Sequence, residues 1–536
     1  MSKPPKHKQG RKPGPTSPQT SSVDAAFQQA VTLHRTGQAQ QAAAIYQQII
    51  NSQPDHFDAL TMYAMLMSQH GHNEGALQLV DRALQVNPAS AEAWLYRGNV
   101  LKSMRRFEEA LANYDHAQVL KPDFAEAHFN QGVVLQELKR SEEALALFDR
   151  ALKLKRNYAQ AWNARGDALT RLSRHEEALA SLDRALKYQP DFAESHYNRG
   201  TVLYALGHFD EALASWRRAQ AIKPDYALAH YNEGLCHLLL GNYERGWQQY
   251  EWRWQAMMTE SRRPFSQPLW LGREEIVGKT ILLHAEQGFG DTIQFCRYAQ
   301  HVASLGATVL LEVQPALVSL LERLESPARV LARGEPLPDF DFHTPLLSLP
   351  LACMTTLGTT IPAQTTYLTV PADKLEAWRN EIGTSEGVRV GLVWSGSLTH
   401  TNDPNRTIPL AELAPLLEIE QVMFVSLQKE VRDNDRTLLM QSPIVDYSER
   451  LQDFADTAAL IDTLDLVITV DTSVAHLAGA LGKPVWILLP HIPDWRWLLE
   501  RTDSPWYPTA RLYRQPRAAD WQSVVRNVTD DLRGLC

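Results

Sequence analysis

The chain has 536 residues, 44% of them hydrophobic and 21% charged, which is the balance of ordinary soluble globular protein at a length suited to three or four domain-sized units. A net charge of −9 argues against nucleic acid as the main partner. No apolar run reaches the roughly 18 residues of a membrane span, and the N-terminus lacks the apolar stretch of a signal peptide. Cys236, Cys296, Cys353 and Cys536 are far apart and show no paired or metal-like spacing, which predicts a reduced, cytoplasmic protein.

Residues 1–22 are rich in Lys, Pro, Gly, Ser and Thr with almost nothing to bury, so a disordered basic tail is expected there, with Lys3, Lys6, Lys8, Arg11 and Lys12 in solvent. From residue 23 the chain repeats. Pro54, Pro88 and Pro122 are 34 residues apart, and Pro190 and Pro224 continue the series across Arg156. Gly98, Gly132, Gly166, Gly200 and Gly234 keep the same period, as do Ala42, Ala76, Ala110, Ala144, Ala178 and Ala212. Small residues let two helices approach, and a closing proline ends one helix and sets up the next. This is the tetratricopeptide pattern, and it gives seven units over 23–260, an all-α superhelix with a concave groove. In the last unit Gly246 replaces Ala, and Trp247, Tyr250, Trp252 and Trp254 suit a face that docks onto the next domain. Asn130, Asn198 and Asn232 share one repeat position. Their amides suit either an extended peptide in the groove or local bonds between repeats.

Residues 261–278 read as a linker. A first α/β domain is expected over 279–384, with strands at 279–286, 307–313, 328–332 and 340–345. After its first strand comes Gln287-Gly288-Phe289-Gly290-Asp291. The two glycines allow close backbone approach to a ligand, and Asp291 is either a helix cap or a functional carboxylate. Asp339-Phe340-Asp341 matches a metal-binding Asp-x-Asp only formally.

A second α/β domain is expected over 385–515, followed by a C-terminal helix in 516–536 that crosses back to the first domain. The strand from Val388 ends in a Ser395-Gly396-Ser397 turn placed for phosphate, and Arg406 follows in a loop, where it can hold phosphate bidentately or lie in solvent. The strand 423–427 ends at Gln428 and Lys429, at the edge where a nucleotide would lie. Leu466 to Val470 reads as a buried parallel strand, Asp471-Thr472-Ser473 as a helix start, Gly482-Lys483-Pro484 as its stop and Val485 to Leu489 as the next strand. A helix N-terminus at the carboxyl end of a parallel strand is an anion site, and the two hydroxyls and the Asp471 carboxylate suit a phosphorylated, hydroxyl-rich ligand. The same three residues would also serve as a plain helix cap. The aromatics in His491 to Trp497 and in Trp506 to Pro508 suit either stacking on a sugar or sealing the domains together.

The run Asp471-Thr-Ser-Val-Ala-His476-Leu-Ala-Gly-Ala-Leu-Gly-Lys-Pro484 resembles the donor-site signature of the heptosyltransferase-like glycosyltransferases of family 9, and Gly288-Phe-Gly290-Asp291 resembles that family's first loop. The resemblance implies a GT-B fold, two Rossmann-like doubly wound domains facing a cleft. It assigns Asp291 as general base, and places the donor at Gly288, Gly290, Ser395, Gly396, Ser397, Arg406, Gln428, Lys429, Asp471, Thr472, Ser473 and His476. Many members have Gly where this chain has Ser473. The O-linked N-acetylglucosamine transferases also join tetratricopeptide repeats to a GT-B domain, and similar asparagines line their groove. Together these imply an inverting transfer of sugar from a nucleotide sugar to a hydroxyl, with no metal and no other cofactor. The acceptor is expected to be a protein presented by the repeats, flagellin or another surface protein. The alternatives are a lipopolysaccharide-core acceptor, or a scaffold whose second half only senses nucleotide.

Overall fold

Glycines every 34 residues fix how the first half of the chain packs. A Cβ on Gly98 would lie 2.5 Å from the Tyr114 ring, one on Gly132 2.6 Å from Phe148, and one on Gly166 2.7 Å from Leu182, so each glycine admits a large side chain of the following helix. In this computed structural model, which describes residues 18–258, 262–324, 328–357, 361–362, 366–383, 387–398 and 402–536, seven helix pairs follow one another. They run from Pro18–Arg35 with Ala39–Ser52 to Ala227–Leu239 with Tyr243–Tyr250. The basic stretch Lys3 to Lys12 lies outside the described residues, and the first helix starts at Pro18, inside the segment expected to be a tail.

Two further bonds recur with the period. In the third to seventh pairs a ring nitrogen near the start of the first helix meets the carbonyl six residues earlier: Trp94 to Pro88 at 2.9 Å, His128 to Pro122 at 3.4 Å, Trp162 to Arg156 at 2.9 Å, His196 to Pro190 at 2.8 Å and His230 to Pro224 at 2.9 Å. The acceptor is a backbone oxygen, which is why Arg156 can stand where proline is due. Side chains sixteen residues apart also pair: Arg97 with Asp81 at 2.6 Å, Arg165 with Asp149 at 2.8 Å and Arg199 with Asp183 at 2.8 Å. In the last unit the charges are exchanged, Arg217 with Glu233 at 2.8 Å.

The chain divides into two compact units, Met1–Val202 and Leu203–Cys536. The boundary cuts the helix Ala193–Ala205, so the end of the repeat array belongs to the α/β unit. Within that unit Tyr243, Trp247 and Tyr250 enter the large hydrophobic core, with Trp247 edge-on to Trp495 at 5.0 Å. Arg253, 1% exposed, donates to Glu286 twice at 3.0 Å, to Glu251 at 2.6 Å and to Ser348 Oγ at 2.7 Å. The aromatics of 491–508 therefore pack inside protein, in the sealing role.

Two all-parallel sheets build this unit. The first has the order β3-β2-β1-β4, from β1 (Thr280–His284), β2 (Thr308–Val313), β3 (Arg329–Ala332) and β4 (Phe342–Pro345). The second has the order β10-β9-β8-β5-β6-β7, from β5 (Val388–Val393), β6 (Val422–Ser426), β7 (Val445–Asp446), β8 (Leu466–Val470), β9 (Val485–Leu489) and β10 (Ala510–Arg514). Helices followed by two parallel sheets match an all-α repeat region joined to a GT-B-like α/β region. The carboxylate of Asp341 accepts from the Thr280 amide at 2.8 Å, a structural use, and among the described residues no cluster of three or more His, Cys, Asp or Glu could hold a metal ion.

Two expectations need correction. Part of the stretch expected as a linker lies across the first sheet: Arg263 pairs with Glu312, Phe265 packs edge-on to His284 at 5.5 Å, and Leu269 bridges to His343. The C-terminal helix Trp521–Arg533 does not cross back. Its stripe of Trp521, Val524, Val525, Val528 and Leu532 sits in the core of the second sheet with Leu410, Leu413 and Leu416, because that apolar face fits its own domain.

Removing the Arg253 guanidinium leaves Glu286 buried without its cation, so Arg253→Ala should cost about 3–5 kcal/mol of stability, read as a lowered denaturation midpoint. Burial first, then the neighbouring positive charge of His343 and Arg263, holds His284 down at about 3. An unfolded histidine titrates near pH 6.5, so the unfolded chain binds the extra proton. This group's contribution is complete above about pH 6.5 and shrinks as pH falls toward 3. His284→Leu should flatten the acid slope of the thermal midpoint between pH 6.5 and 4.

Candidate functional site

In each sheet the strand order reverses at one point, between β1 and β4 in the first and between β8 and β5 in the second. A crevice opens at the carboxyl ends of strands where the order reverses. The Ser395–Ser397 turn follows β5 and Asp471-Thr472 follows β8, so topology brings these two stretches together, and the Gly288–Asp291 loop follows β1 at the reversal point of the other sheet. They meet closely. A Cβ on Gly290 would lie 2.8 Å from the His476 ring and 3.5 Å from the Ser473 Cα, so Gly290 is the space that lets the two loops touch.

Between them lies a cleft of about 350 Å³ whose lining includes Ser395, Gly396, Ser397, Lys429, Thr472 and Ser473. The helix Ser473–Ala480 points its start into it. Thr472 is extended and its hydroxyl turns back to Thr469 Oγ1 at 3.1 Å, so no side chain caps the first turn. Those open amides carry the positive end of the helix dipole. Ser395 Oγ, in a residue only 2% exposed, has no hydrogen-bond partner among the described residues and borders the same cleft.

Arg406 joins the two stretches. Its guanidinium lies against Gly396, where a Cβ would come within 2.3 Å of Nη2, and Nη1 donates to the Asp471 carbonyl at 2.7 Å. Buried Asp403 is flanked by both Arg406 and Arg432, so two cations answer one anion beside the Ser395 turn. Gln428 is buried under that turn: Oε1 accepts from the Trp394 and Ser395 amides at 3.3 and 3.2 Å, and Nε2 donates to the Ser395 carbonyl at 3.1 Å. Its amide is engaged in shaping the turn. Lys429 is exposed and donates to the Ser448 and Leu451 carbonyls at 2.9 and 2.6 Å.

Three carboxylates outside the cleft lining, Asp291, Asp494 and Asp471, lie around Arg496. Asp291 Oδ2 accepts from the Gly288 amide at 3.2 Å and Oδ1 accepts from Arg496 Nη2 at 2.6 Å, so it both caps its helix and forms an ion pair. Arg496 also donates from Nη1 to Asp494 at 2.9 Å and from Nε to Gln294, and lies 4.2 Å over the Trp495 ring. Asp471 is partly exposed. Burial, then the negative charge of Asp494, raises its pKa to about 6 against the pull of Arg406 and Arg496. His476 is buried, bonded through Nδ1 to Tyr507 OH at 2.9 Å and stacked on Trp497 at 5.5 Å. Burial and the charges of Arg496, Arg297 and Arg406 hold it neutral, well below its ordinary range. His476 thus supports the seam and is not among the cleft-lining residues.

In the repeats, Asn130 Nδ2 donates to Asn99 at 3.0 Å and Asn198 Nδ2 to Asn163 at 3.1 Å, bonds between successive repeats. Of the two uses open to these amides, local linkage is the one seen, and Asn232 also has a partner. The sequence reading missed Arg496, Asp494, Asp403 and the pair Phe289 and Phe454, whose rings sit 4.9 Å apart and both line the cleft. A charged residue between two tryptophans, Trp495-Arg496-Trp497, was the one available signal.

Residues 412–488 match glycosyltransferase family 9 (heptosyltransferase), and 33–98, 98–161, 166–207 and 200–241 match tetratricopeptide repeat families. The chain carries tetratricopeptide repeats and a glycosyltransferase family 9 domain. The family 9 match contains Gln428, Lys429 and Asp471 to His476, and leaves Asp291, the Ser395 turn and Arg406 outside it. The chain is 25% identical over 314 residues to Protein FlbA of Caulobacter vibrioides, a match over 54% of this chain and 52% of that protein. The chain thus spans about half the length of the curated relative it matches. Among solved structures it is similar to YrrB, a TPR protein with an unusual peptide-binding site (25% identity, 35% of this chain and 98% of that one, TM-score 0.30), and to Pseudomonas aeruginosa pilF (19% identity, 40% and 99%, TM-score 0.37). Among the described residues no helix is long and apolar enough to cross a membrane.

An alanine Cβ at position 396 meets only the movable end of Arg406. Gly396→Ala should therefore cost under about 1 kcal/mol in stability while driving Arg406 off the Asp471 carbonyl, a change readable by hydrogen exchange at 471–475.

Proposed function

We propose that this chain transfers a sugar, with inversion and without a metal, from a nucleotide-sugar donor to a hydroxyl of a protein acceptor. The observation that carries the reading is the cleft where the strand order of the second sheet reverses. It combines an uncapped helix start, an unpartnered buried hydroxyl at Ser395 and a guanidinium that joins both stretches. Each of these favours anionic oxygen. Arg406 and Arg432 both flank Asp403 beside the turn, which brings two guanidiniums near a diphosphate placed there. Donors fixed before the reaction stabilise charge as it develops on the leaving phosphate, without reorganisation at that moment. The apolar lining from Phe289, Leu451 and Phe454 suits the base and ribose edges of a nucleotide. Asp291, in the loop after β1 that presses against the start of the helix Ser473–Ala480, is the carboxylate for the acceptor's proton that the inverting course requires. The repeats support a protein acceptor over a glycolipid, since stacked helix pairs offer an extended surface for a chain.

The test is thermal stabilisation of the full chain by UDP, ADP, GDP, CMP and their sugar conjugates. At about 100 times Kd a true ligand should add roughly 2.7 kcal/mol. Arg406→Ala should weaken the responding nucleotide at least tenfold. A panel with no stabilising member would overturn the transferase reading and leave a scaffold.

A further inference from the structure

A catalytic carboxylate has to be aimed as well as ionised. Asp291 stands in the first turn of the short helix Phe289–Phe295, beside Gly288 and Gly290, and its own loop holds it through the Gly288 amide, which donates to Oδ2 at 3.2 Å. One bond to one oxygen does not fix the plane of a carboxylate, whose last torsion is broad.

The other oxygen is held from a distant part of the chain. Arg496 Nη2 donates to Asp291 Oδ1 at 2.6 Å. The guanidinium is itself firmly placed. Its Nη1 donates to Asp494 at 2.9 Å, its Nε donates to Gln294, and its face lies 4.2 Å from the Trp495 ring. Asp494 also accepts from the Arg496 amide at 3.0 Å, so one carboxylate fixes the backbone and the tip of the same residue. Burial opposes the arginine's charge, and the carboxylates of Asp494 and Asp291 outweigh burial, so its pKa lies above the ordinary arginine value.

The position of Arg496 in the chain decides what this bond can do. It lies in the turn after β9, and the helix Ser473–Ala480 follows β8, the strand paired with β9. The arginine and the helix start assigned to the leaving phosphate therefore stand on one sheet, while Asp291 stands on the other. The bond from Arg496 sets the carboxylate directly against the donor site. Sealing the two sheets together does not require a carboxylate, as Arg297 shows: buried in the same seam, it donates to the Gln294 and Trp506 carbonyls and the Tyr367 hydroxyl.

We propose that Arg496 is the positioning residue for the base: reaching across from the donor-side sheet, it turns the Asp291 carboxylate toward the acceptor hydroxyl and keeps it in register with the bound donor. This rests on the transferase reading above. In that reaction the acceptor hydroxyl gives its proton to Asp291, and its oxygen pair forms the bond to the anomeric carbon. The bond from that carbon to the phosphate oxygen breaks with its pair staying on oxygen. A carboxylate can accept about four hydrogen bonds, so the two that orient Asp291 are compatible with one from a substrate hydroxyl. Arg496 acts through Asp291 and touches no reacting atom. Lysine is no substitute, because a single ammonium on a flexible stem cannot hold Asp291, Asp494 and Gln294 at fixed angles.

The experiment uses the full chain with UDP-N-acetylglucosamine, ADP-heptose, GDP-mannose and CMP-sialate, water as the hydroxyl and nucleotide release as the readout. A misplacement of about 1 Å can cost roughly 100-fold in rate, so Arg496→Lys should lower kcat at least about tenfold. The donor KM and the donor-induced thermal shift should stay within about twofold, because donor binding does not use Asp291. Arg297→Lys is the matched control: it should lower the melting temperature comparably and keep kcat within about twofold. Gln294→Leu, which takes away the partner of Arg496 Nε, should lower kcat about threefold at unchanged KM, and it decides the matter if Arg496→Lys does not fold. Equal kcat losses in Arg496→Lys and Arg297→Lys overturn the assignment and leave the ion pair as a seal. Wild-type kcat in Arg496→Lys, or in Gln294→Leu standing in for it, overturns it as well, as does a loss carried by donor KM. Wild type that releases nucleotide from none of the four is a different failure. It removes the transferase reading itself, and the positioning role falls with it.

Discussion

Everything in the α/β unit depends on one close approach, the Gly288–Asp291 loop pressed against the start of the helix Ser473–Ala480. No side chain fits between them at Gly290. Arg496 then fastens the seam by reaching from the turn after β9 to Asp291 and Gln294 on the opposite helix. An arginine can do this because its planar fork presents several donors at fixed angles, which a lysine cannot match. Arg297 fastens the same region without any carboxylate, through the carbonyls of Gln294 and Trp506 and the Tyr367 hydroxyl, with three aromatic rings around it. Two buried guanidiniums with full sets of acceptors make this a pinned junction rather than a loose one, since breaking either would strand a charge away from water.

The repeats show how little sequence identity such packing needs. The bond that recurs most evenly has a backbone carbonyl as acceptor, so the residue supplying it is free to vary, as at Arg156. The donor is either indole or imidazole, whichever ring nitrogen reaches. The array changes character where it enters the α/β unit. The charge pair reverses at Arg217 and Glu233, and the second helix of the last pair carries Tyr243, Trp247 and Tyr250 inward. That helix has no next repeat to cover, and its aromatic face is buried by Trp495 and Trp506 instead. A 34-residue period therefore continues past the point at which the compact unit changes.

Much of this was legible in the sequence, for a physical reason. Parallel strands buried on both faces are near-continuous apolar runs, so β1, β2, β5, β8 and β9 stand out, whereas the two-residue edge strand β7 does not. The carboxyl ends of those strands located the Ser395 turn and Asp471 without any knowledge of side-chain contacts. What the sequence did not show is which polar groups are free. Gln428 sits where a ligand contact was expected, and its amide is fully occupied by the Ser395 turn. Asn130 and Asn198 share a groove position and bond their neighbours. Arg496 meets Asp291 across 205 residues of chain, a pairing that no local pattern encodes. Placement follows from periodicity and topology, but availability depends on partners brought in from far away.

That distinction bears on how a cleft of this kind is to be read. Among its polar side chains, those that look most like ligand contacts on chemical grounds are engaged with backbone: Gln428 with the β5 turn, Lys429 with two loop carbonyls and Arg406 with the end of β8. Each fixes a piece of main chain, and the amides at a helix start and the buried Ser395 hydroxyl face the cleft. Main-chain donors held in this way cannot relax when charge appears in front of them, which is the property that favours a developing anion over a neutral ground state.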